Sequence, residues 1–210
     1  MSRAAGYARV AAVGGAGLAY AILAHRSNTA DSGRAGVLLA LAPMLVAVLV
    51  IGWRSRHRLP AMALALAACA AALLALPLLQ QHTSLIYWIE HAVTQSLMCI
   101  AFARSLAPGR VSMVTLFARM VHGTLAPAME RYTRQVTLAW SIFFGTMALV
   151  STALFFAAPV KVWSGFANFF TAPLIALMFI VEYAVRRRML PDVEHAGIVA
   201  GVQAFWKTPR

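Results

Sequence analysis

Tyr87, Glu90, His91, Thr94 and Gln95 recur at intervals of three and four within an otherwise apolar stretch, so a helix would carry all five on one face. Adjacent carboxyl and imidazole groups can pass a proton, and the hydroxyl and amide groups beside them can hold a polar headgroup. A charge left in hydrocarbon costs roughly 2.5 to 3.5 kcal/mol on insertion scales, so Glu90 is expected to face protein, where an ionisable group marks a functional site. The same residues also suit a buried hydrogen-bonded cluster that fixes helix register, with Glu90 protonated or paired to His91 or to a neighbouring helix. A metal centre is not expected, because His82, Glu90 and His91 lack the HExxH or CxxC spacing that gathers ligands.

Beyond that face there is no nucleophile motif, no glycine-rich loop to cradle phosphate and no paired carboxylates. Catalytic residues are therefore not assignable, no cofactor is expected, and an orthodox enzyme is not visible. Glu182 lies one helical turn before Arg186, which predicts a snorkelling ion pair at a span end. Asn168 and Thr171 share a helical face that would either extend a polar lumen or pack. Cys69 and Cys99 fall inside apolar runs, where they serve as small packing residues and not as a disulfide.

The elements that must position these groups follow from composition. At 61% hydrophobic and 11% charged residues, the 210-residue chain lies outside the range of soluble domains. The expected fold is an all-α polytopic membrane helix bundle forming a single transmembrane domain. Apolar runs over residues 10–24, 36–53, 61–79, 84–103, 136–157 and 162–185 are expected to be six transmembrane helices, because about 20 helical residues cover a hydrocarbon core of ~30 Å. The first run is short, and with Arg3 and Arg9 before it and Ala19-Tyr20-Ala21 within it, it has the look of a signal peptide. Small residues at Ala11, Gly15 and Ala19 favour a retained helix instead.

Residues 25–34 read as a polar loop, and the link over 80–83 is short enough to make the third and fourth spans antiparallel neighbours. Pro43 is expected to kink the second span and Pro60 to open the third. After a Pro108-Gly109 turn, the segment over 111–124 is too polar to span and too regular for a loop. It sets Ser112, Thr115, Arg119 and His122 against Met113, Phe117, Met120 and Val121, the pattern of an interfacial amphipathic helix that Gly123 and Pro127 end. Thr137, Ser141, Gly145, Ala148 and Thr152 form one stripe on the fifth span, a packing seam. Trp53, Trp88, Trp140 and Trp163 lie near span ends, where an aromatic belt is expected. A mildly amphipathic cytoplasmic tail over 189–210 carries Asp192, Glu194 and His195 as solvated residues.

Arginines at 3, 9, 54, 56, 58, 104, 110, 119, 131, 134, 186, 187, 188 and 210, with Lys207, fall on alternate connections, whereas only Arg26, Arg34 and Lys161 fall on the others. The positive-inside rule then predicts that both termini lie in the cytoplasm. The net charge of +12 does not imply nucleic acid, because no stacking aromatics interleave with the basic residues. Arg104, Arg110, Arg119, Arg131 and Arg134 all lie on one connection. Beyond their topological role, they would attract anionic membrane lipids or acidic proteins.

Phe117-Ala-Arg119, His122-Gly123, Pro127, Arg131-Tyr-Thr-Arg134-Gln-Val-Thr137, Trp140, Phe143-Phe144 and Glu182-Tyr-x-x-Arg186-Arg-Arg together give the chain a likeness over about residues 84–190. It resembles a family of uncharacterised bacterial inner-membrane proteins often encoded with aryl-polyene (xanthomonadin-type) and fatty-acid-like biosynthesis genes. The resemblance implies an accessory component of an acyl or polyene-lipid biosynthetic system, docking cytoplasmic partners such as an acidic acyl carrier protein on its basic face. The alternatives are a small transporter or flippase, or a membrane-embedded acyl-modifying enzyme, that uses the Glu90 and His91 face.

Overall fold

The computed structural model describes residues 3–29 and 33–189. Its regular elements are all helical: α1 (Arg3–Thr29), α2 (Gly33–Arg54), α3 (Arg58–Leu74), α4 (Leu76–Gln80), α5 (Thr83–Ser105), α6 (Met113–His122), α7 (Pro127–Ala157) and α8 (Val160–Met189). Within α8 the residues Phe166–Phe170 form a π-helical turn. Four helices, α2, α5, α7 and α8, are long and apolar enough to cross a membrane, and α3 is a shorter apolar helix. Residues 190–210 of the expected tail and residues 30–32 of the expected loop lie outside the described residues.

Three local readings change. The segment expected to be a polar loop from His25 stays helical to Thr29, because Ser27 and Asn28 bond back to the Ala24 carbonyl, both at 3.0 Å, within the helical repeat. The third apolar run is broken at Ala75, where Pro77 cannot donate to the Leu73 carbonyl and the Ala75 carbonyl instead accepts from Leu78 and Leu79. Pro127 opens α7 where it was expected to end α6, since a first-turn proline gives up no helical hydrogen bond. Gly123 alone ends α6, at φ +74°, a conformation that side chains disfavour. The Pro108-Gly109 turn is present as expected: Arg110 N–H donates to the Ala107 carbonyl at 3.2 Å, and Gly109 takes φ +76° as the third residue of a type II turn.

The chain divides into two compact units, one of Met1–His91 with Ser151–Thr171, the other of Ala92–Val150 with Ala172–Arg210. In the first, α2 and α3 pack closely at Gly52, where an added Cβ would come within 3.2 Å of the Ala61 carbonyl oxygen. Ala24, Ala40, Tyr87 and Trp163 form its core, with Tyr20, Trp88 and Phe155 packed against them. The core of the second is aromatic: Trp140 packs with Phe102, Phe143, Phe144 and Phe179, at centroid distances from 4.8 to 6.4 Å. Trp140 and Trp163 are therefore core residues, not members of an interfacial belt.

Candidate functional site

In the first unit the polar groups of α5 meet partners from α1, α2, α7 and α8. Tyr87 is buried, and its hydroxyl bonds Ser27 Oγ at 2.8 Å and reaches the Gly36 carbonyl at 3.4 Å. His91 is held at both ring nitrogens, with Nδ1 at 2.9 Å from Ser151 Oγ and Nε2 at 3.0 Å from Thr171 Oγ1. The surrounding donors assign its tautomer. Trp163 Nε1–H can only donate, and it does so to Ser151 Oγ at 3.0 Å, which frees the serine proton for His91 Nδ1. The Thr171 hydroxyl points to the Phe166 carbonyl at 3.4 Å, so it accepts from His91 Nε2–H.

The π turn makes that last contact possible. Its wider i to i+5 spacing brings the Thr171 backbone N–H onto the Phe166 carbonyl, with the hydroxyl on the same acceptor. Nearby, fully buried Ser164 is a second junction: His25 Nδ1 lies 3.0 Å from its Oγ, and Asn168 Nδ2 donates to its carbonyl at 2.9 Å and its Oγ at 3.2 Å. Neither Ser151 nor Ser164 is placed as a nucleophile. Both are completely buried, with Oγ already committed to a histidine and to a second donor.

Glu90 differs from its neighbours. Half-buried on α5, it lies beside the Tyr20 hydroxyl of α1, and it forms no ion pair among the described residues. It is not bonded to His91, whose ring is already fully engaged. Among the described residues no three His, Cys, Asp or Glu side chains gather to hold a metal ion.

The five-residue face expected on α5 is thus shared out. Tyr87, Glu90 and His91 belong to the first unit, whereas exposed Thr94 and buried Gln95 belong to the second. The periodicity misses Tyr20, His25, Ser27, Ser151 and Ser164, because isolated polar residues on distant helices carry no spacing signal. Tyr20 is visible in the sequence only as the centre of an Ala-Tyr-Ala triplet.

The second unit holds the basic connection. The start of the polar face of α6 is turned inward, while Arg119 on the same face is exposed: Ser112 Oγ and Thr115 Oγ1 are 2.6 Å apart, and Thr115 reaches Thr133 of α7 at 2.7 Å. Two first-turn N–H groups of α6, which a helix leaves unsatisfied, are capped by other helices. Met113 N–H donates to Ser105 Oγ of α5 at 2.9 Å and Val114 N–H to Thr137 Oγ1 of α7 at 3.1 Å. Of the five arginines, Arg119 pairs with Glu130 and Arg134 donates to the Leu106 carbonyl. Arg104, Arg110 and Arg131 are exposed and form no ion pair among the described residues. The expected Glu182 and Arg186 pair is present at 3.6 Å, and Tyr132 also donates to Glu182, at 3.1 Å to its carbonyl and 3.2 Å to its carboxylate.

The chain matches no family model, no curated protein and no solved structure.

Proposed function

We propose that this chain is a multi-pass inner-membrane protein with six crossings and both termini in the cytoplasm, a component of acyl or polyene-lipid biosynthesis whose working group is Glu90. The supporting observation is the contrast around that carboxyl. His91, Ser151, Ser164 and Thr171 are committed to one another or to other fixed groups, whereas Glu90 has only the Tyr20 hydroxyl beside it and no cation among the described residues. An intramembrane carboxyl with spare hydrogen-bonding capacity can take up a proton or receive the polar head of an amphipathic product. The class of activity is that of a small transporter or flippase, with His91 as a positioning residue and Tyr20 as the group that orients the carboxyl.

Glu90→Gln tests this directly, because it keeps size and hydrogen bonding while removing the ionisable proton. Export or accumulation of the lipid product should fall by at least about tenfold, the scale of a lost proton-transfer or charge-assisted contact, while membrane level and thermal stability hold. Wild-type output from a fully expressed variant would leave only a register-fixing cluster. The topology has its own check: reporter fusions after Asn28 and Gln81 should read periplasmic, and those after Arg56 and Gly123 cytoplasmic. A periplasmic signal at Gly123 would overturn the charge argument.

A further inference from the structure

The chain between α5 and α7 left two partners open, anionic lipid and acidic protein, and the orientation of α6 decides between them. This helix buries Ser112 and Thr115 while Leu116, Phe117 and Met120 stay 41%, 43% and 45% exposed. Apart from exposed Arg119, which pairs with Glu130, the described side chains on its outward face are therefore apolar, the reverse of a helix on a protein in water. Such a face requires an apolar medium.

Depth follows from the tether. Thr115 is bonded to Thr133, and Val114 to Thr137. The stretch of α7 without charged residues begins after Arg134, between those two threonines. With 31 residues α7 is ~46 Å long. A hydrocarbon core takes ~30 Å of that, leaving the turns before Val136 at the level of the headgroups. The hydroxyl ladder thus fixes α6 where headgroups give way to acyl chains. On the same connection, Arg104 in the last turn of α5, Arg110 after the type II turn and Arg131 at the start of α7 offer exposed guanidinium groups with no ion-pair partner among the described residues.

We infer that α6 and Arg104, Arg110 and Arg131 form a binding surface for anionic phospholipid, with Leu116, Phe117 and Met120 among the acyl chains and the arginines on headgroup phosphates. The inference rests on the reading of α5 and α7 as membrane crossings. An acidic protein would satisfy the arginines but leave the apolar face without cover at acyl depth. A single lipid leaflet satisfies both, and a guanidinium is well matched to phosphate.

The test uses the purified full-length chain in mixed micelles offering equal phosphatidylglycerol and phosphatidylcholine, with retained lipid quantified by mass spectrometry. The wild type should enrich phosphatidylglycerol. R104Q/R110Q/R131Q should lower that enrichment at least about fivefold, the effect of one arginine at an anionic surface, and the triple lysine variant should keep most of it. Unchanged enrichment in the glutamine variant overturns the inference. If that variant does not accumulate, Arg110→Gln alone serves for the same comparison, and unchanged enrichment there overturns the inference equally. A photo-crosslinker at position 117 should couple to phospholipid in native membranes. Coupling to a protein, or salt-sensitive capture of an acidic carrier protein without lipid enrichment, overturns the inference in favour of protein docking. Glu90→Gln is read by product export and the arginine variants by lipid enrichment, so failure of the Glu90 reading and failure of the lipid surface are separately visible.

Discussion

His91 of the first unit needs Ser151 and Thr171, from two other helices, to satisfy its ring, whereas Thr133, Thr137 and Ser141 of the second bond carbonyls one turn back on their own helix before they meet anything else. The difference is one of dependence. A hydroxyl that can fall back on its own helix stays satisfied when a neighbour moves, so the second unit can use such groups freely as tethers. An imidazole has no such fallback, and its position reports that several helices are in register at once. Polar residues of the first kind are forgiving, and those of the second kind are not.

Breaking the demanding network should have the largest effect on stability. Ser151→Ala strands both His91 Nδ1 and Trp163 Nε1–H, and should lower stability by about 1 to 3 kcal/mol, measured as thermal unfolding in detergent. A loss no larger than that of a surface substitution would show that the ring finds other partners. In the second unit, Thr137→Val keeps shape but leaves the Val114 N–H uncapped, so a smaller loss of about 1 kcal/mol is expected. It should be accompanied by faster amide hydrogen exchange confined to the start of α6. Ser141→Ala removes only a bond to its own helix and should change stability by less than about 0.5 kcal/mol. Equal costs for Ser141 and Ser151 would erase the distinction between the two regions.

Much of the helical framework was legible because long apolar runs admit few alternatives. The type II turn was readable from Pro108-Gly109, the two faces of α6 from their spacing, and the Glu182 and Arg186 pair from its one-turn separation. The direction in which α6 points was harder. A period identifies two faces but does not say which is inside, and in a lipid setting the rule that holds for soluble helices inverts. The break at Pro77 was masked by an apolar context that reads as continuous. Closure of the His91 site lay beyond reach because its completing residues are single polar side chains, Ser151 and Thr171, whose pairing depends on which helices meet.

The capping of α6 by Ser105 and Thr137 also imposes an order in time. A ten-residue helix is too short to persist alone in water, where about 12 to 15 residues are marginal even for favourable sequences. One of its caps, Ser105, is made before it, but the other, Thr137, is made 15 residues after His122, about 1 to 3 s later at ~5–20 residues per second. Formation of α6 must therefore wait for α7 to arrive, so the helix completes its unit only after the crossing that follows it has been synthesised.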